Sequence, residues 1–121
     1  MTPVFSTEVP SPAGHYNQGM AAHQFIFISG QLPTGFPAET SLEEQVKIAL
    51  QRVIAIAEAG GSSIEKIVKT TVYIADVNDW PAVNAAYAEF FGPNNKPARS
   101  IVPVPALHYG YKVEIEAIAA I

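Results

Sequence analysis

The order of elements predicts an α+β or α/β domain in which helices pack on one face of a single sheet. Three observations carry this. Two stretches, one starting at Ser41 and one near Asn78, repeat apolar residues at helical spacing. Short β-branched runs of strand length lie before, between and after them. The 121 residues suit one domain, spanning 1–121, around one core.

Residues 1–12 are rich in Pro, Ser and Thr and read as an extended lead-in, with a turn around Gly14. His23 and Gln24 mark the tip of a hairpin. Phe25-Ile26-Phe27-Ile28 is wholly apolar, which suits a strand buried on both faces; Ser29-Gly30-Gln31 ends it. Residues 32–40 hold Pro33, Gly35 and Pro37 and form a loop.

Ser41 and Glu44 then form an S-x-x-E capping box, in which each side chain can satisfy the other's free backbone donor. Leu42, Val46, Ala49, Leu50, Val53 and Ala57 continue as a helical stripe until Gly60-Gly61 stops it. Residues 67–75 alternate as a strand, with Ile67, Thr71 and Tyr73 on one side and Val68, Thr70, Val72 and Ile74 on the other. Asn78 or Asp79 caps a second helix with Pro81 in its first turn. Its stripe is Val83, Ala86, Tyr87, Phe90 and Phe91, and Gly92-Pro93 ends it. A short strand at 99–104 leads into an aromatic loop at 107–111. The last strand, 112–119, puts Lys112, Glu114 and Glu116 on one face and Val113, Ile115 and Ala117 on the other.

Charged residues make up 15% of the chain, against about 25% in an ordinary soluble domain. A small domain has much surface for its volume, so the shortage predicts that another copy of the chain covers part of it. Net charge is −4 and there is no basic run, so nucleic acid is not an expected partner. Without cysteine there is no thiolate nucleophile and no Cys-ligated metal. The three histidines (His15, His23 and His108) lack ligand spacing, so no metal and no cofactor is expected. No membrane-length apolar stretch and no signal pattern is present, so the expected compartment is the cytosol. Phosphate loops, dinucleotide fingerprints and nucleophile elbows are also missing.

Two features stand out. Arg99 lies in the apolar stretch Pro97-Ala98-Arg99-Ser100-Ile101-Val102, and an Arg at the start of a buried strand needs an anion nearby. It reads either as an intersubunit salt bridge or as a clamp for a substrate carboxylate. Glu114 and Glu116 share one face of the final strand. They read either as a solvated strand face or as a general acid or base in a cleft.

Along nearly its whole length the chain resembles the Rid (YjgF) family of reactive-intermediate deaminases. Gly14-His15-Tyr16-Asn17-Gln18 resembles the family's G-P-Y-x-Q, and Phe27-Ile28-Ser29-Gly30-Gln31 its strand-end S-G-Q. Val68-Lys69-Thr70-Thr71-Val72 and Val83-Asn84-Ala85-Ala86-Tyr87 resemble its central strand and second helix. Pro97-Ala98-Arg99-Ser100 with Val113-Glu114-Ile115-Glu116-Ala117 resembles its C-terminal signature.

The resemblance implies an α+β, chorismate-mutase-like fold assembled as a homotrimer, with ligand clefts between subunits. It implies cofactor-free hydrolysis of enamine or imine intermediates of the 2-aminoacrylate type, giving 2-keto acids and ammonia. Arg99 takes the role of carboxylate clamp and Glu114 that of water activation. Tyr16, Ser29, Gly30 and Asn84 take substrate-binding positions in the cleft. A ligand-binding or regulatory trimer without turnover is the alternative, and RNA cleavage, which some members are associated with, is a third. Two departures bear on substrate choice. His15 replaces the family's usual proline, and residues 104–111 form an aromatic, His-containing loop where archetypal members carry arginine-leucine-proline and a short polar loop.

Overall fold

The computed structural model describes residues 1–121. Six strands form one sheet: β1 (Thr2–Val4), β2 (Gly19–Ala22), β3 (Phe25–Gln31), β4 (Ile67–Ile74), β5 (Ala98–Pro103) and β6 (Val113–Ala120). Helix α1 (Leu42–Ala59) joins β3 to β4, and α2 (Trp80–Phe91) joins β4 to β5. Strand order is β1-β2-β3-β6-β4-β5. Only β4 and β5 pair in parallel. The last strand enters the middle of the sheet and runs antiparallel to both β3 and β4, which are therefore parallel to each other. The result is the expected α+β arrangement, with both helices on one face.

The lead-in differs from the sequence reading. Thr2–Val4 is a strand that pairs with β2 and buries Val4 in the core. His23 and Gln24 do form the hairpin tip, with His23 at φ 55. At α1 the Ser41 hydroxyl accepts from the Glu44 backbone N–H at 3.3 Å, and Gly61 takes the left-handed conformation after the helix, at φ 90. The start of α2 is built differently. Asp79 occupies the cap position without a side-chain bond, while Asp76 caps the preceding turn by accepting from the Asn78 N–H at 2.9 Å.

The core lies between the helices and one face of the sheet. Val46, Leu50, Val53 and Ile56 of α1, with Val83, Tyr87 and Phe91 of α2, pack on Ile26, Ile28, Val72, Ile74 and the Val113-Ile115-Ala117-Ala119 side of β6. The opposite sheet face carries no helix. Phe25 and Phe27 point there and remain 42% and 48% exposed, so the strand expected to be buried on both faces is buried on one within the chain. Alternation in β4 also breaks at its start. Register against β6 shifts between Ile67 and Lys69, so Ile67 is buried with Thr70, Val72 and Ile74 while Val68 turns outward. Such a bulge puts two residues opposite one and reverses the facing of everything on its far side. Strand β5 is the sheet's edge and is mostly exposed, which corrects the expectation of a buried strand around Arg99.

Candidate functional site

The final strand sets the frame. Alternation along β6 buries Val113, Ile115 and Ala117 under the helices and turns Glu114 and Glu116 to the bare face. Glu114 there meets the end of β3, where Ser29 and Gly30 stand. A methyl group placed at Gly30 would lie 2.9 Å from Glu114 Oε2 and 3.1 Å from its Cδ, so the absence of a side chain is what admits the carboxylate.

These residues line an open cavity of about 780 Å3, together with Tyr16 and the loop residues His108 and Tyr109. Its walls are fixed by buried and half-buried polar side chains. Gln18 donates through Nε2 to the carbonyls of Ser6, Val9 and Pro10 at 3.3, 3.3 and 3.1 Å, and its Oε1 accepts from the Ser6 N–H at 2.7 Å. The Ser29 N–H donates to the Gln18 carbonyl at 2.9 Å and its hydroxyl to the Asn17 carbonyl at 2.6 Å. The Tyr16 segment is thereby tied to β3. On the other side Arg52 of α1 donates to the Leu32 and Thr34 carbonyls, each at 2.6 Å, and to Thr34 Oγ1 at 3.0 Å. The Tyr111 hydroxyl donates to the Phe36 carbonyl at 2.6 Å.

Burial pushes the Glu114 pKa up, and the neighbouring Glu116 charge adds to the rise; His108 pulls the other way. Glu116 accepts from the Tyr73 hydroxyl at 3.0 Å, a bond that holds the phenol's proton and raises its pKa. Glu114 is thus a half-buried carboxylate of increased basicity at the edge of a cavity, which suits a group that takes a proton from water.

Arg99 sits elsewhere. It is paired in register with Thr70, a residue of the helix-covered face, whereas Glu114 is paired with Tyr73 on the bare face. The two side chains therefore project from opposite faces of the sheet. Arg99 Nη1 donates to Asn84 Oδ1 at 2.9 Å, and the guanidinium lies 4.8 Å from the Tyr87 ring centroid and 5.8 Å from that of Trp80. The Tyr87 hydroxyl in turn bonds Thr70 Oγ1 at 2.7 Å. Arg99 and Asn84 line a second concavity of about 840 Å3 beside α2. The arginine expected to need a nearby anion instead rests half-buried among a neutral amide and two aromatic rings. Those contacts satisfy part of the guanidinium and leave donors free for a carboxylate.

One chain consequently brings together Tyr16, Ser29, Gly30 and Glu114 and, separately, Asn84 and Arg99. His15 is exposed, while His108 lines the first cavity. Sequence reasoning missed Gln18 and Arg52 as wall-builders and Trp80 and Tyr87 as the seat of Arg99. Gln18 closes a motif quoted for its resemblance, which was a usable signal. Arg52 gave none, because its partners are carbonyls of a loop that only tertiary packing brings near. No group of three His, Asp or Glu residues is placed to hold a metal ion.

Fold and geometry together define a small α+β protein with two concavities on opposite faces of one sheet. A sequence model of the family described as Endoribonuclease L-PSP matches residues 6–121. A Salmonella typhimurium protein named 2-iminobutanoate/2-iminopropanoate deaminase is 43% identical over 126 residues, covering 98% of each chain. A RutC family protein of Pyrococcus horikoshii is 41% identical over 120 residues, covering 96% of this chain and 94% of its own. The crystal structure of Escherichia coli TdcF with bound serine superposes with a TM-score of 0.93 at 35% identity, covering 100% of this chain and 99% of that one. The chain belongs to the Endoribonuclease L-PSP family, the Rid (YjgF) family.

Proposed function

We propose that this protein hydrolyses 2-imino acids, formed from reactive enamines, to 2-keto acids and ammonia at sites completed between subunits of a homotrimer. The observation that carries the reading is Glu114, a half-buried carboxylate with a raised pKa at the edge of a cavity that Ser29, Gly30 and Tyr16 also line. Similarity to a named 2-iminobutanoate/2-iminopropanoate deaminase supports the substrate class. The serine held by TdcF supports a small ligand bearing a carboxylate.

Chemically the task is small. An imine carbon is already electrophilic, so neither a covalent nucleophile nor a cofactor is required. Water attacks that carbon as its proton passes to Glu114. Glu114 hands that proton to the nitrogen of the tetrahedral adduct, the adduct's hydroxyl proton follows it to nitrogen, and the carbonyl forms as the C–N bond breaks, releasing ammonia and a 2-keto acid. Arg99 of a neighbouring subunit holds the substrate carboxylate through paired hydrogen bonds, and Asn84 fixes the guanidinium's angle.

A neighbour is needed because Arg99 and Glu114 of one chain face opposite ways. The low charge and the uncovered Phe25 and Phe27 support the bare sheet face as the surface another copy covers.

Subunit mixing tests this directly. Arg99→Ala and Glu114→Gln are each expected to lose imine hydrolysis, read as semicarbazide-trapped imine surviving beside a 2-aminoacrylate-generating dehydratase. Co-expressed and co-purified, the two variants regain a fraction of wild-type activity, since some interfaces combine an intact Arg99 with an intact Glu114. Activity that mixing fails to restore, in assemblies shown to contain both chains, overturns the shared site. Wild type that binds 2-keto acids but diverts no imine marks a ligand-binding trimer instead.

A further inference from the structure

We propose that the His108–Tyr109 ring stack is the side-chain selector of the Glu114 cavity and favours imino acids with an aromatic side chain. This rests on the deaminase reading above and adds the substrate class to it.

The loop between β5 and β6 spends its backbone on exposing two rings. Tyr109 stands at φ 63, a region that side chains other than glycine's rarely enter, and Gly110 follows at φ 77. That pair of left-handed residues turns the His108 and Tyr109 rings face to face, 3.7 Å between centroids and 12° from parallel. Tyr111 meets Tyr109 edge-on at 6.3 Å and is itself pinned by its bond to the Phe36 carbonyl. The stack is therefore supported from behind, yet Tyr109 remains 58% exposed and contributes nothing to the hydrophobic core. Both rings line the cavity that holds Glu114, and Tyr16, another exposed aromatic, lines it too.

Substrate geometry says what such a wall would meet. An imino acid carbon bears three groups: carboxylate, imine nitrogen and side chain. With the carboxylate on Arg99 and water delivered from Glu114, the side chain is the group left to meet the remaining cavity wall. A flat ring packing against Tyr109 gains apolar burial and quadrupole-matched stacking that a methyl or ethyl group cannot.

The test compares imines made by an amino-acid oxidase from phenylalanine and from 2-aminobutyrate, with semicarbazide trapping the surviving imine. Tyr109→Asn removes the ring while keeping a residue that tolerates the left-handed backbone; Tyr109→Phe keeps the ring. The kcat/KM ratio of aromatic to ethyl substrate is expected to exceed one in wild type, persist in Tyr109→Phe and fall about tenfold in Tyr109→Asn. A ratio unchanged in Tyr109→Asn, or equal losses on both substrates, overturns the selector. If wild type hydrolyses neither imine, the deaminase reading has failed, and calorimetric titration with phenylpyruvate and 2-oxobutanoate decides the rest. Tighter phenylpyruvate binding that is lost in Tyr109→Asn upholds the selector; no preference between the two keto acids overturns it.

Discussion

Gly30 and Glu114 fit against each other so closely that a single methyl group on Gly30 would lie 2.9 Å from the carboxylate oxygen. The crowded atoms are the far end of a flexible side chain, so Gly30→Ala is expected to fold normally, with Glu114 swung aside. Displacing a catalytic group by about 1 Å can reduce rate on the order of 100-fold. The expected outcome is a melting temperature close to wild type with imine hydrolysis reduced at least tenfold. An unchanged kcat would show that Glu114 is not the group that handles water.

A proton-accepting Glu114 also fixes the sign of the pH profile. The ionised form is the working one, so kcat/KM rises with pH through the Glu114 pKa, which burial and Glu116 hold above the ordinary carboxylate value. Glu116→Gln removes the repelling charge and should move the acidic limb to lower pH. His108→Ala removes the one group pulling that pKa down and should move it higher. Profiles that shift the same way in both variants would contradict this electrostatic account.

The same shift predicts a stability cost. A carboxylate whose folded pKa lies above its unfolded pKa binds more protons when folded, so its contribution to stability is full below the unfolded pKa. That contribution is lost as pH rises through the folded pKa. At neutral pH the buried charge is therefore a burden, and Glu114→Gln should melt above wild type. At a pH below the unfolded carboxylate range the difference should vanish. Thermal melts of the two proteins at acidic and neutral pH check it.

How much of this was legible beforehand differs by residue. The α1 helix was readable because Ser41, Glu44 and Gly61 mark both ends chemically and its stripe is long. The facing of Glu114 and Glu116 was readable because β6 alternates without interruption. The facing of Ile67 and Val68 was not, since one bulge inverts a period-2 pattern and leaves no residue type that betrays it. The run 25–28 reads as doubly buried because Phe25 and Phe27 are apolar, and composition does not say whether a helix or another chain covers them. The opposition of Arg99 and Glu114 was illegible for a deeper reason. It follows from the registers that set Arg99 beside Thr70 and Glu114 beside Tyr73 on β4, and register is settled by packing among elements distant in sequence.

Arg99 offers a prediction about geometry rather than charge. Its guanidinium lies over the Tyr87 and Trp80 rings and donates to Asn84. Lysine keeps the charge but not the planar fork. Arg99→Lys should therefore retain an intact fold while raising KM for imino acids about tenfold or more. Asn84→Ala should give a smaller loss in the same direction. A lysine variant with wild-type KM would mean that a point charge suffices.

The loop from 32 to 36 depends on Arg52, whose half-buried head donates to Leu32 and Thr34 with no carboxylate beside it. Desolvation lowers its pKa from the usual arginine value, so these carbonyl bonds must compensate for burying the charge. Arg52→Ala leaves two carbonyls without their donor and should destabilise the protein by about 1–3 kcal/mol. It should also make the loop a preferred site of proteolytic cleavage. Arg52→Lys cannot reach both carbonyls with the same planar fork and should fall between the two. Limited proteolysis with the cut site mapped, alongside urea unfolding, separates the local effect from the global one. Loss of stability without a cut near Thr34 would place the arginine's contribution in the helix rather than in the loop, and the 32–36 side of the cavity wall would then owe its shape to the Tyr111–Phe36 bond.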